Sequence, residues 1–239
     1  AVKDLGLACP VANISAPDVT GPVLAAQDLA PTVGLGNVSM HLLRARSAWR
    51  ARREAAGDEL SELPLMRLIG HHCHVYGVVQ ARFPENADES TRVYLGENGE
   101  RDDHLAYEGA PFAAGPIYNV LTGISSLPTL SALLPDGPRT RFSAPSPLGL
   151  PGGYPLVIEA GFLDFDLPPG VSRDDAIVFN TAMGRLDGIE RIDADGTAHF
   201  TETARGHAAK VDPRLAEPLD PRDLEARTRL LLEIVDAAR

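Results

Sequence analysis

Two cysteines, two lysines, three methionines and one tryptophan are all that the 239-residue chain holds of these four residue types. Cys9 and Cys73 cannot form a disulfide framework, so a reducing cytoplasm is the expected setting. Lysine is confined to Lys3 and Lys210 while arginine, alanine, glycine and proline are frequent, which reads as a composition bias of the source. No apolar run approaches the roughly 20 residues that a membrane span needs. The 22 basic side chains face 33 acidic ones, for a net charge of −11. That balance argues against nucleic acid and against anionic membrane surfaces as partners. A basic start followed by a long apolar stretch is missing, so no signal peptide is expected. The chain opens at Ala1 and enters the strand-like residues 7–15 almost at once, which suggests the later part of something longer. There is no internal repeat and no low-complexity tract.

Several chemical signatures are also missing. Gly34-Leu35-Gly36-Asn37-Val38-Ser39-Met40 lacks the third glycine of a dinucleotide-binding turn. No phosphate-binding G-x-x-x-x-G-K-[ST] loop occurs, and no G-x-S-x-G elbow, which argues against an α/β-hydrolase. The chain is long enough for one large domain or two small ones, and at 44% hydrophobic residues it can bury a core.

What is present is a concentration of histidine. Three of the seven histidines follow the apolar run 65–69 and the breaker Gly70, as His71-His72-Cys73-His74. A buried strand that ends in glycine delivers titratable side chains to the rim of a sheet, where α/β proteins keep their chemistry. Histidine titrates near neutrality, so acid–base work outweighs the bland reading of one core histidine with two solvated neighbours. Zinc is the lesser alternative, because there is no second cysteine pair and the three histidines are read as one extended segment. In such a segment His72 and His74 share a side and His71 points away.

Around this centre the sequence predicts strands at 10–15 and 31–36 and a short helix at 23–29 capped by Asp18 or Thr20. A long helix is expected over 38–56, closed by Gly57. Its arginines read as a solvated face in preference to an anion site. Apolar character continues through 75–83, a hairpin-like strand covers 92–95, and 96–99 is turn chemistry. Residues 117–134 read as an apolar helix and 135–153 as a long proline-, glycine- and serine-rich loop, a candidate lid. Two strands over 154–165, a helix from Ser172 to about Leu186, a hairpin over 188–201 around Asp195-Gly196 and a last helix at 224–238 complete the reading. The expected fold is α/β to α+β, a mixed sheet with packed helices.

The order Asn13, Ala16-Pro17, short helix, Gly34-Leu35-Gly36-Asn37, long helix, Leu68-Ile69-Gly70-His71-His72 resembles the second half of the lactate/malate dehydrogenase superfamily, which includes the family-four glycosidases. In the dehydrogenases a strand ends in Asn-Pro, a glycine turn opens a long helix, and Ile-Gly-Glu-His carries the catalytic histidine. Pro17 falls on that proline and His72 on that histidine. Ala16 replaces the asparagine, the family's aspartate and substrate-binding arginine fall near Met40 and Leu43, and the glycosidases' metal-binding cysteine falls at Gly36. The likeness covers roughly residues 8–80.

The resemblance implies an NAD(P)-dependent oxidoreductase acting on a small polar hydroxy- or amino-acid-like substrate. His72 would be its general acid/base, helped by His74 and His71. Asn13, Asn37, His41, Arg44 and Tyr76 would contact substrate; Asn13 and Asn37 also read as turn and helix caps. It further implies that 1–37 is the tail end of a nucleotide-binding domain and 38–239 a substrate domain. This chain would touch only the nicotinamide end of NAD or NADP, no metal would be held, and the Rossmann half would be missing or incomplete. A nucleotide-binding domain or second chain, and homo-oligomers, are the expected partners. The alternative is a non-catalytic binding or assembly domain on the same scaffold.

Overall fold

A computed structural model describes residues 2–58, 62–112 and 117–237. Strand β1 (Ala12–Asn13) pairs in parallel with β2 (Val33–Gly34), with α1 (Pro17–Ala26) between them and α2 (Val38–Ala55) after them. Strand β3 (Met66–Ile69) leads through a 3₁₀ turn into α3 (Val75–Val79), and then pairs antiparallel with β4 (Arg92–Leu95), which pairs with β5 (Glu100–Arg101). Helix α4 (Ile117–Ala132) precedes a second antiparallel sheet of β6 (Thr140–Pro145), β7 (Gly153–Glu159) and β8 (Phe162–Phe165). Helix α5 (Arg173–Gly184), the hairpin β9 (Ile189–Ile192) and β10 (Ala198–Phe200), α6 (Glu202–Val211) and α7 (Leu224–Ala237) follow. The class is thus α/β to α+β, with the strands of the described residues divided among four small sheets, each wholly parallel or wholly antiparallel. No helix among the described residues is long and apolar enough to cross a membrane.

Local chemistry accounts for much of this. At α5, Ser172 Oγ accepts from Asp175 N at 3.1 Å, while the Asp175 carboxylate accepts from Ser172 N, a reciprocal cap. Helix α2 buries Val38, Leu42, Ala45 and Ala48 against Met66, Leu68, Val93 and Phe142. A second core joins β6, β7 and α5 through Ala144, Tyr154, Leu156, Ile158 and Phe179. Together these two cores supply most of the apolar burial that offsets chain entropy.

Four expectations are corrected. The segment 135–153 is not a lid: six of its residues form β6, in register with β7 from Thr140↔Ile158 to Pro145↔Gly153. Its small residues serve close packing, and Ser143 is wholly buried, accepting from Leu68 N through Oγ and from Ser39 Oγ through its carbonyl. The histidine segment is not extended: residues 72–74 form a turn and 75–79 a helix. The first helix starts at Pro17 rather than 23, so Asp18 lies in its first turn and Thr20 Oγ1 donates to Ser15 O at 2.7 Å. The strands read at 10–15 and 31–36 shrink to two residues each, and α6 had no counterpart in the sequence reading.

One contact fixes where the histidines emerge. Gly153 N donates to Gly70 O at 2.7 Å and Gly70 N to Gly153 O at 3.3 Å, stitching the end of β3 to the start of β7. Neither residue tolerates a side chain. A Cβ at Gly70 would sit 2.2 Å from Thr91 Oγ1, and one at Gly153 would sit 2.4 Å from Val38 Cγ1. Gly153→Ala is therefore expected to lower unfolding stability by about 1–3 kcal/mol, the cost of overpacking a tight core. Denaturant unfolding checks it, and an unchanged midpoint would mean that the two sheets can move apart freely.

Candidate functional site

The chain turns out of the sheet directly after the Gly70–Gly153 bridge, and His71 governs that turn. His71 N donates to His74 Nδ1 at 2.9 Å, and the His71 ring faces back toward Cys73 N at 3.4 Å. The nearer partner of the ring is Asp187, whose Oδ2 lies 3.0 Å from His71 Nδ1. In the tautomer that donates Nδ1–H to the carboxylate the His71 Nε2 lone pair is free; in the other, Nδ1 accepts from Cys73 N and Nε2 carries the proton. His72 Nδ1 reaches the same carboxylate at 3.1 Å. One aspartate, placed by the turn that follows α5, therefore holds two adjacent histidines.

The two histidines differ in setting. His71 is 2% exposed, whereas the His72 side chain is 55% exposed. His71 and Asp18 both line a cavity of about 270 Å³. A Cβ built on Gly184 would lie 3.7 Å from His71 Nε2, so that glycine keeps the nitrogen uncovered. The wall is otherwise mainly apolar, from Val19, Pro22, Pro151, Ile177, Ile189 and Ile192. Its size lies at the lower edge of small-molecule sites, which run about 300–1,000 Å³.

Charge is arranged with equal economy. Burial alone would raise the Asp187 carboxyl; the hydrogen bonds from His71 and His72 outweigh it and hold the group below the usual carboxylate range. The same hydrogen bond raises His72. Asp18 is 3% exposed and is raised, chiefly by burial, against the pull of His71 and the Asn37 amide. Asn37 Nδ2 donates to Asp18 Oδ2, while Asp18 Oδ1 has no hydrogen-bond partner. Asn37 itself stands at φ 41°, ψ −109°, a region costly for a non-glycine residue, of order 1–3 kcal/mol.

Of the residues singled out from the sequence, His71, His72 and, through Asp18, Asn37 come together. His74 and His41 lie behind them in the core. His74 stacks on Phe179 with ring centroids 6.1 Å apart, and His41 is fully buried, 6.4 Å from His74, with neither ring nitrogen hydrogen-bonded. Asn13 closes a turn, accepting from Ser15 N at 3.0 Å and donating to Thr20 Oγ1 at 2.6 Å. Arg44 donates to Ala110 O at 2.9 Å and lies over the Phe112 ring, on another face. Tyr76 is exposed beside a separate groove with Cys73 and Phe83. Cys73 is pushed up by burial and is a poor nucleophile.

Sequence reasoning missed Asp187, Gly184 and the inward turn of Asp18. A pairing across 115 residues leaves no local signal. Asp18 did carry one, Pro17 before it, which marks a first helical turn. Among the described residues no three His, Cys, Asp or Glu side chains are placed to share a metal ion. Comparison with protein-family models, with curated proteins and with solved structures finds no match to this chain.

Proposed function

We propose that this chain holds the substrate and the acid–base group of an NAD(P)-dependent oxidoreductase for a small polar hydroxy- or amino-acid-like compound. The observation that carries the reading is the His71–Asp187 pair at the cavity. Asp187 orients the ring and balances the charge it acquires; Nε2 takes the proton from, or returns it to, the substrate's hydroxyl or amine. His72, the histidine on which the dehydrogenase resemblance falls, shares the same carboxylate from the solvent side. It supplies a second route for the proton to water.

The glycine turn 34–36 does not fit a dinucleotide's pyrophosphate. A Cβ at Gly34 would meet Pro17 Cβ at 2.5 Å and Pro145 O at 2.8 Å, and one at Gly36 would meet Thr122 Cγ2 at 2.9 Å, so the turn is filled by protein. In this reading a nucleotide-binding domain or second chain would hold NAD or NADP, which would supply the hydride chemistry. Exposed Val11 and Ile14 flanking β1, and Ile117, Val120, Ile124 and Leu127 along α4, support a neighbouring body or a second copy.

The test is nicotinamide reduction or oxidation by the full-length gene product with a panel of small 2-hydroxy and 2-amino acids. At least one should turn over. Absence of turnover with every member, in a folded protein, would remove the reading.

A further inference from the structure

Helix α4 carries its polarity inside out. Its inward side holds small and hydroxylated residues, Ser125, Ser126, Thr129 and Ala132, all buried. The two serines donate to Thr122 O at 2.8 Å, bonds within the helix itself. Its outward side holds Ile117, Val120, Ile124, Leu127 and Leu130, and Leu134 follows just past its end; all six are between 40% and 61% exposed. A helix on the surface of a lone globular chain shows the reverse order. Gly161 N donates to Ala132 O at 3.2 Å, which sets Phe162, 82% exposed, beside the far end of this row. The free surface of these seven side chains is on the order of 800 Å², the share that each partner gives to a standard protein interface.

Charge says what covers the row. From Gly109 to Pro135 there is no Asp, Glu, Lys or Arg, in a chain that is 23% charged. From this uncharged, outward-facing row we infer that α4 is the contact through which two copies of the chain pair about a two-fold axis. Each copy carries a net charge of −11, so two copies repel unless they meet where neither is charged. A two-fold contact also needs a patch that complements itself. In an antiparallel pair Ile117 meets Leu134 of the second copy, Val120 meets Leu130 and Ile124 meets Leu127, so each apolar side chain finds an apolar one. Gly123 lies in the same row with nothing within 4 Å of its Cβ position, a gap that Leu127 of the second copy can enter. A different protein drawn to this acidic chain by complementary charge finds nothing on α4 to match. A lipid surface asks for basic side chains around the apolar face, and residues 109–135 have none. None of these residues lines the cavity, so the inference goes beyond the oxidoreductase reading and does not depend on it.

The test is analytical ultracentrifugation of the full-length gene product at micromolar concentration, where the parent should sediment as a dimer. Leu127→Glu should weaken self-association about 100-fold or more, because the two-fold axis puts two carboxylates into one apolar seam. Ile124→Lys should do the same. The two variants mixed should pair more tightly than either does alone, since Glu at 127 then faces Lys at 124 of the other copy. Both positions are half exposed, so circular dichroism of each variant should match the parent. Leu232→Glu on α7, at a site 59% exposed, should leave the dimer intact. A monomeric parent, a dimer that Leu232→Glu breaks and Leu127→Glu does not, or a mixture no tighter than its components each overturns the inference. So does a monomeric parent that floats with phosphatidylcholine vesicles and stops floating as Leu127→Glu, which would assign the row to lipid.

Discussion

His71→Gln is expected to lower turnover by about 10²–10⁴-fold, the usual worth of a positioned acid–base group, while His72→Asn costs less than about tenfold. The two rings share Asp187, so the difference lies in where the other nitrogen points. His71 is buried in the cavity lining with Nε2 kept open by Gly184. His72 stands largely in solvent. Asp187→Asn should approach the His71 loss, because an amide neither fixes the ring's tautomer nor balances imidazolium charge. Gly184→Val gives a check that leaves every polar group in place. Gly184 has helical backbone angles, so the change is compatible with the chain path, yet its methyls would cover Nε2. Turnover should fall with little change in thermal midpoint. If His71→Gln retains activity and His72→Asn abolishes it, the reacting nitrogen is that of His72, as the sequence resemblance implies.

The second large effect is loss of stability in mild acid. Burial lowers His74 to about 4, helped by the neighbouring His71, and lowers His41 well below its ordinary value, helped by His74. The sign follows from proton linkage. Below about 6.5 the unfolded chain takes up protons at these rings and the folded chain does not, so stability falls as pH drops from about 6.5 to 4. For His74 alone the shift corresponds to about 3 kcal/mol, and His41 acts in the same direction. Two groups oppose it. Asp18, raised by burial, favours the folded state as it protonates, and His72, raised by Asp187, is stabilising while protonated and loses that contribution as pH rises. His72 is half exposed and Asp18 is partly compensated by Asn37, so the core pair should dominate. Asp187, lowered on folding, stabilises above the ordinary carboxylate range and loses that contribution as pH falls through and below it, adding to the acid-side loss.

Thermal unfolding across this window measures the slope. His41→Leu should flatten it and raise the midpoint at the acid end, since it removes two buried nitrogens that have no partner. A midpoint independent of pH in the parent protein would mean that these rings are hydrated or paired in the folded state.

The sequence alone determined the parts of this protein whose causes are local. The run before Gly70 became β3, and the histidines did arrive at its end. Gly57 stands just past α2, Ser172 caps α5 through a contact three residues away, and Asp195-Gly196 turns the last hairpin. Each depends on dihedral preference or a hydrogen bond within one turn, which neighbouring residues specify by themselves. Tertiary structure decided the rest. Residues 140–145 carry loop-like composition and became a strand because β7 offered a partner along the whole segment and the core took up Phe142, Ser143 and Ala144 from it. His71 rather than His72 faces the cavity because the Gly70–Gly153 bridge forces the chain out of the sheet and into a turn, which ends the alternation of an extended segment. Asp187 reaches His72 across 115 residues and the ring of His71 beside it, and Asp18 lines the same cavity only because α1 packs there. Such pairings depend on loop closure and on which surfaces meet, and no spacing along the chain encodes them.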